Sequence, residues 1–288
     1  MTPDKGIHRG IPLEVYRKWD AFGSSDLKAM RIGPPAMVPW KKANPEEQTD
    51  ATRLGTAAHC AILEPTQFEA RFAHKPDGMT FSTKEGKAWR DDPGRSFMEI
   101  LTHKEWEKVG AIVNAFQSKE IAAAALNSAG SNREVSLRWN DPDTGLPLKC
   151  RPDFYVEGGH VYELKITRHA AAQSIAFRAY TEGWMHQLAH NLAGLVENGI
   201  KIVGGRIIAV NPEPPQQFRV YCVEVKQDAL SLMHLENERT VAAMAECVEF
   251  GVWPGSWDVW ERIEAPALAL QQAAQVQWTE DQEAIHNG

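Results

Sequence analysis

The segment from Arg133 to Thr167 constrains the fold most, because it holds three strand-like stretches separated by two turn signals. REVSLRW alternates, DPDTGLP carries turn residues, LKCRPDFYV alternates again, and the glycines at 158 and 159 lead into HVYELKIT. Alternation of this kind around Asp, Pro and Gly is typical of antiparallel hairpins. The segment therefore predicts three consecutive strands.

Helical patterns flank this β segment on both sides. They predict helices over 52–63, 97–127, about 170–197 and about 229–247, with Pro65 and Gly199 as stop signals. GGRIIAVNP and FRVYCVEV predict two more strands. The order helix, three strands, helix, two strands, helix predicts an α/β fold in which helices flank a central mixed sheet.

The two ends of the chain are less regular. SSDLKAM predicts a short helix capped by Ser24 or Ser25, and residues 66–95 are expected to be irregular. We divide a single overall domain into an N-terminal arm packed on the core (1–50), the main body (51–250) and a C-terminal tail (251–288). The three tryptophans of VWPGSWDVW are interpreted as packing residues, with base stacking as the alternative.

Composition excludes some classes of protein and leaves others open. No apolar run reaches the length of a membrane span, and MTPDKGIHRG lacks the apolar core of a secretory signal, so we expect a cytoplasmic protein with no membrane partner. The four cysteines are scattered without a C-x-x-C pair, which favours reduced thiols over a metal cluster. The net charge of -7 argues only weakly against nucleic acid, because a basic groove can coexist with acidic metal ligands.

Strand parity brings acidic and basic side chains together. Glu163 and Lys165 share one face of VYELKIT, and the same parity puts Lys149, Arg151 and Asp153 on one face of the preceding strand. Asp153 is then expected to face Glu163. Two carboxylates can hold Mg²⁺ through hard oxygen ligands, and a lysine can orient the attacking water of phosphodiester hydrolysis. The alternative is a solvated face with a cross-strand salt bridge.

The same stretch resembles the exodeoxyribonuclease VIII (RecE-type) branch of the PD-(D/E)XK nucleases. Three matching segments are SSDLKAM, LGTAAHCAILEP and WMHQLAHN. Between the second and the third, the residues that match the family motifs are Glu134, Thr144-Gly145-Leu146, Arg151-Pro152-Asp153 and Glu163-Leu164-Lys165. The resemblance covers Ser24 to about Val225 and implies a PD-(D/E)XK nuclease core over 51–250.

The resemblance also implies roles for individual residues. It implies Mg²⁺, replaceable by Mn²⁺, on His59, Asp153, Glu163 and the Leu164 carbonyl. It implies Lys165, Glu163, Asp153, Glu134 and Gln187 as catalytic residues. The alternatives are a buried structural histidine at 59, an edge-strand carboxylate at 134 and a solvent-facing amide at 187.

One position departs from the family pattern. Asn191 stands where a tyrosine usually follows the glutamine by four residues, and His186 or His190 is a conceivable substitute for it. Arg151, Lys149 and Arg168 are candidates for a phosphate path, with ordinary surface residues as the alternative.

By resemblance, the expected function is processive 5′→3′ degradation of double-stranded DNA ends, which leaves 3′ single strands for recombination. The implied partners are a RecT-like single-strand annealing protein and further copies of the chain in a tetrameric ring, in a phage or prophage setting. Two alternatives stay open: a structure-specific or single-strand nuclease on the same core, like the RecB-nuclease branch, and a catalytically silent DNA-binding recombination scaffold.

Overall fold

A computed structural model of the chain describes residues 2–45, 49–168, 172–213 and 218–255. The helices are α1 (Leu13–Arg17), α2 (Ser24–Ile32), α3 (Met37–Ala43), α4 (Asp50–Leu63), α5 (Pro65–Arg71), α6 (Lys84–Arg90), α7 (His103–Ser118), α8 (Glu120–Leu126), α9 (Ala172–Thr181), α10 (Trp184–Glu197) and α11 (Gln227–Phe250). The strands are β1 (Gly6–His8), β2 (Phe72–His74), β3 (Glu99–Leu101), β4 (Ser131–Arg133), β5 (Ser136–Asn140), β6 (Pro147–Cys150), β7 (Phe154–Val156), β8 (His160–Ile166), β9 (Gly204–Val210) and β10 (Val220–Val225).

The central sheet has five strands in the order β10-β9-β8-β7-β4, with β8 and β9 parallel and the other neighbours antiparallel. A second sheet, β1-β5-β6, is antiparallel, and β2 pairs with β3 in parallel. The predicted α/β fold with a mixed sheet is confirmed. No described helix combines the length and apolarity needed to cross a bilayer.

Apolar cores cover both faces of the central sheet. On one face, Tyr162 and Leu164 of β8 pack with residues of α4, α7 and α8. On the other face, Val161 of the same strand packs with α2, α10 and α11 and with the second sheet. This follows from the two-residue period of a strand, which sends alternate apolar side chains of β8 into opposite cores.

Helix α10 approaches the second sheet closely. Gly194 faces Trp139 and Cys150 so tightly that a Cβ atom there would lie 2.6 Å from the Cys150 sulfur. A side chain at this position would therefore force the helix away from the sheet. The approach matters because α10 carries two residues of the candidate site.

Several predicted boundaries were wrong. The expected strand LKCRPDFYV is broken: β6 belongs to the second sheet and β7 to the central sheet. Proline has no amide hydrogen to donate to a ladder, and Pro152 lies at this break. The helix expected over 170–197 is two helices, separated at Gly183, whose φ of +78° is left-handed.

The region from 66 to 127 also differs from expectation. Residues 66–95 are not irregular throughout, because they include α5, β2 and α6, and Pro65 begins α5. Proline suits the first turn of a helix, where no amide hydrogen is needed. The expected helix 97–127 is β3 followed by α7 and α8.

The N-terminal segment and Trp253 pack on this body. Gly23, and not a serine, is the N-cap of α2, and its N–H donates to the Asp26 carboxylate. Trp253 packs against the core that contains α11, with its ring 6.3 Å from that of Phe22. Trp257 and Trp260 lie outside the described residues, and the division into arm, body and tail stays a prediction.

Candidate active site

The candidate site lies where β7 and β8 part. The ladder between them holds only the pairs Phe154–Tyr162 and Tyr155–Val161. From Glu163 to Ile166, β8 still pairs with β9 on one side, but no residue of β7 lies opposite it on the other side. At this fork the Leu164 N–H meets the Asp153 side chain instead of a carbonyl of β7.

Asp153 and the backbone of Leu164 bridge the fork. The Leu164 N–H donates to Asp153 Oδ2 at 2.6 Å. His59 of α4 reaches the same point, with its Nε2 2.9 Å from the Leu164 carbonyl oxygen and 3.3 Å from Asp153 Oδ2. The sequence-predicted Asp153, Leu164 carbonyl and His59 are thus brought together.

Glu134 completes a group that can hold a metal ion. Its Oε1 lies 3.9 Å from His59 Nδ1, and one ligand atom each from His59, Glu134 and Asp153 lie within 4.8 Å of one another. One imidazole and two carboxylates fit a divalent ion, and the neighbouring Leu164 carbonyl adds a hard oxygen. Among the described residues this set contains Glu134, whereas the sequence-based set contained Glu163.

Glu134 is held in place by the backbone and by Arg151. It joins β4 to β5 with a φ of +50°, a left-handed conformation that is uncommon outside glycine, and its N–H donates to the Asp153 carbonyl oxygen at 3.0 Å. Arg151 Nε donates to Glu134 Oε2 at 2.5 Å, and its Nη1 donates to the Ile11 carbonyl at 2.6 Å. Arg151 therefore positions a candidate ligand and ties it to the N-terminal segment.

Glu163 and Lys165 form a second polar group on the α10 side of β8. Lys165 Nζ lies 2.9 Å from Glu163 Oε2 and 3.0 Å from Gln187 Oε1. The Asn191 amide donates to Glu163 Oε1. Gln187 thus contacts the predicted catalytic lysine, and both oxygens of the fully buried Glu163 have partners.

The two groups are electrostatically coupled. Burial, and after it the Asp153 carboxylate, raise the pKa of Glu163 to about 7, with Lys165 offsetting part of the effect. Burial disfavours the imidazolium of His59, but Asp153 and Glu134 outweigh it and hold its pKa well above the ordinary value. Burial likewise opposes ionisation of Asp153, but His59, Lys165 and the Leu164 N–H together outweigh it, so that the pKa of Asp153 is lowered. The carboxylates of the site thus favour a positive charge beside them, which the proton on His59 or a bound cation can supply.

Three basic or titratable side chains that were considered for the site lie elsewhere. Lys149 is buried beneath the N-terminal segment, where its Nζ donates to the carbonyls of Arg17 and Trp19 at 3.0 and 2.9 Å. It does not share a face with Asp153, because the chain changes sheets between them. His186 pairs with Glu236 at 2.6 Å, and His190 lies 3.0 Å from the Lys149 carbonyl.

Neither histidine therefore replaces the tyrosine absent at 191. Asn191 itself contacts Glu163, and this role was not predicted. The helical spacing of four from Gln187 was the available signal, because residues four apart share a helix face.

Comparison with known proteins gives a fold and no family. No known family profile and no curated protein matches the chain. Among solved structures, the chain resembles a Eubacterium rectale protein whose exonuclease activity is assigned provisionally, with 13% identity, a TM-score of 0.59, and coverage of 88% of this chain and 92% of that one. At this identity the similarity shows a common fold.

A second similarity is weaker. It is to an alkaline exonuclease from Laribacter hongkongensis, with 13% identity, a TM-score of 0.27, and coverage of 67% of this chain and 89% of that one. A TM-score of 0.27 does not establish a common fold. The chemistry of this chain therefore has to be argued from its own site.

Proposed function

We propose that the chain is a divalent-metal-dependent DNA nuclease of the PD-(D/E)XK kind. One observation carries the proposal: His59, Glu134 and Asp153 converge at the fork of β7 and β8, and Lys165 lies beside them on the same strand as Glu163. A metal-ligand set next to a partly buried, hydrogen-bonded lysine is a combination that can hydrolyse a phosphodiester.

The chemistry divides between the two groups. A Mg²⁺ ion on His59, Glu134, Asp153 and the Leu164 carbonyl, with Mn²⁺ as a substitute, would supply positive charge at the attacked phosphate and make a water more acidic. Lys165, charged and fixed between Glu163 and Gln187, orients the attacking water and stabilises charge that develops on the phosphate oxygens. Glu163 keeps that ammonium in place, and Gln187 limits its rotation.

The substrate, the direction of degradation, the partner and the assembly are proposed from the resemblance to RecE-type exonucleases. The substrate is a double-stranded DNA end, degraded processively from 5′ to 3′ as in RecE-type exonucleases, and the 3′ strand passes to a RecT-like annealing protein. The active form is a tetrameric ring in the cytoplasm of a host that carries phage or prophage DNA. Light scattering of the purified protein and co-purification with a RecT-like protein test the assembly and the partner. A lone monomer peak contradicts the ring.

The decisive experiment is digestion of linear duplex DNA labelled at the 5′ or the 3′ end, with Mg²⁺ or with EDTA. The wild type is expected to release the 5′ label only with Mg²⁺ and to leave closed circular DNA intact. Lys165→Ala is expected to lose at least ~100-fold in rate, on the order of one lost transition-state contact. Lys201→Ala, an exposed lysine beyond the other end of the sheet, is the matched control and should keep the wild-type rate.

Other results select other functions. Cleavage of single-stranded or nicked DNA in preference to duplex ends supports the structure-specific nuclease. If the protein binds DNA but hydrolyses none of the tested DNA substrates, the result supports the catalytically silent scaffold and overturns the proposed activity.

A further inference from the structure

A cleft of about 310 Å³ opens where β8 and β9 end, outside the metal-ligand group. Parallel strands end at the same edge of a sheet, and ligands of α/β proteins commonly bind there. The cleft is bounded by the start of α4, the first turns of α7 and the residues that follow the two strands. Its polar lining residues are Asp50, Lys104, Glu105, Lys108, Arg168 and Glu213.

The three acidic groups of this cleft are paired with two cations, Arg53 and Lys108. Arg53 pairs with Asp50 at 3.1 Å and also with Glu105. Lys108 pairs with Glu213 at 2.6 Å. Each carboxylate of the lining therefore has a basic partner.

Two cations remain at the mouth of the cleft. Lys104 and Arg168 are exposed, and within the described ranges no carboxylate oxygen lies within 4.0 Å of either charged group. The mouth therefore carries positive charge on a protein whose net charge is -7. Such a local field attracts an anion despite the acidic exterior.

The cleft lies at a short, definable distance from the candidate site. Leu54, in its wall, precedes His59 by five residues of one helix, or ~7.5 Å at 1.5 Å per residue. Arg168 follows Lys165 by three residues, or ~10 Å in extended chain. Successive phosphates of one DNA strand advance ~3.4 Å along the helix axis and lie farther apart than this along the strand itself, so these distances correspond to about two nucleotides at most.

We infer that this cleft binds a backbone phosphate of the DNA strand being cut, within about two nucleotides of the scissile bond, through Lys104 and Arg168. The inference rests on the proposed nuclease function and adds a second contact to its substrate. The contact recognises charge and not base identity, so it holds the strand in register without sequence preference. Glu213, which pairs with Lys108 in the lining of the cleft, competes with the phosphate for that lysine.

The first test measures binding of a duplex of about 30 base pairs in EDTA, between about 50 and 200 mM salt. Lys104→Gln/Arg168→Gln is expected to lose affinity about tenfold and to reduce the slope of log K against log salt by about one to two, since each phosphate contact contributes ~0.9. With Mg²⁺, the KM of the same variant should rise and its kcat should stay within about twofold.

The control removes the same charge at the opposite edge of the sheet. Lys201→Gln/Lys226→Gln changes two exposed lysines that lie near the start of β9 and the end of β10. This variant is expected to keep the wild-type slope. An equal decrease in both double variants would show a general charge effect and overturn the cleft as a binding site.

A second test removes a negative charge from the cleft, so DNA binding should become stronger instead of weaker. Glu213→Gln releases Lys108 and is expected to tighten DNA binding about threefold or more, by removing a like charge near the phosphate. The control is Glu224→Gln on β10, which also breaks an ion pair of 2.6 Å, to Arg206, but far from the cleft. No change in affinity on Glu213→Gln, or the same change in both, contradicts the inference.

The outcomes separate the two proposals. If the wild type cleaves DNA with Mg²⁺ while the cleft variant keeps the wild-type slope and KM, the cleft inference fails alone. If the wild type neither cleaves nor binds DNA, both proposals fail.

Discussion

Asn191 donates its side-chain amide to the buried carboxylate of Glu163, and this contact ties helix α10 to the centre of the candidate site. The other oxygen of the Glu163 carboxylate accepts a hydrogen bond from Lys165 Nζ at 2.9 Å. The two donors together fix the orientation of Glu163, so the position of α10 determines how the lysine is presented.

We expect a double-mutant cycle between Asn191→Leu and Glu163→Met to show a coupling of ~1–3 kcal/mol in the free energy of unfolding. Each single change leaves a buried polar group without its partner, whereas the double change removes both. Chemical denaturation measures the cycle. The control cycle pairs Glu163→Met with Asn198→Leu, whose amide donates to the Gly194 carbonyl, and should be additive within ~0.5 kcal/mol. Additivity of the first cycle would contradict the contact.

The metal-free protein should lose stability as pH rises, partly through Glu163. The pKa of this group rises on folding from 4.5 to about 7, so the folded state binds more protons than the unfolded state within that window. The free energy of unfolding therefore falls between pH 4.5 and 7, and the full cost is present above pH 7. Between pH 5 and pH 8, the wild type should lose on the order of 1–3 kcal/mol more than Glu163→Gln.

His59 acts in the same direction, because its raised pKa gives stability that is present at low pH and lost as pH rises through that value. It is present in both proteins, so most of its contribution cancels in the comparison. Denaturation of both proteins at the two pH values in EDTA gives the answer, and equal losses would exclude a raised pKa at Glu163.

Glu134→Gln should weaken Mn²⁺ binding about tenfold or more, measured by titration calorimetry, because it removes one of the charged oxygens beside His59 and Asp153. Glu64→Gln is the matched control: it is a half-buried carboxyl whose pKa is raised by burial and then by Glu134, yet it lies outside the ligand group. The Mn²⁺ affinity of Glu64→Gln should stay within about twofold of the wild-type affinity. Mn²⁺ binding near neutral pH should also release a proton from His59, visible as a buffer-dependent heat. Equal weakening in the two variants would place the ion elsewhere.

Gly194→Ala should destabilise the protein by ~1–3 kcal/mol, because its Cβ would lie 2.6 Å from the Cys150 sulfur and 2.7 Å from the Trp139 ring. Gly110→Ala, inside α7 with nothing within 4 Å, should instead stabilise it by up to ~1 kcal/mol through helix propensity. Urea denaturation of the two variants decides this. A Gly194→Ala protein as stable as wild type would show that α10 can move without cost.

Periodicity and turn residues in the sequence predicted individual strands, helices and turns. The turn before HVYELKIT, the strand that carries Glu163 and Lys165 and the helix that carries His59 all lie where periodicity put them. Parity along β8 also holds, since Val161 and Tyr162 enter opposite cores. These features depend on two- and four-residue spacings that are visible in the sequence.

Parity failed where the chain left its sheet. Lys149 and Asp153 have the same parity, but the interruption at Arg151 and Pro152 places one under the N-terminal segment and the other at the fork. The contact between Asn191 and Glu163 depends on how closely α10 packs, and Glu134 reaches His59 through a left-handed residue. Such long-range contacts are set by packing, and local spacing shows at most which helix face a residue shares.

Arg151 links Glu134 to the Ile11 carbonyl, and this has a consequence for shortening the chain. A protein trimmed to the motif-bearing segment would keep every residue named in the nuclease resemblance and still lack the acceptor that steadies the arginine. Strand β1 would go with it, leaving β5 as a bare edge. The first dozen residues therefore support the candidate site, and a shortened protein that keeps the geometry of this site has to retain them.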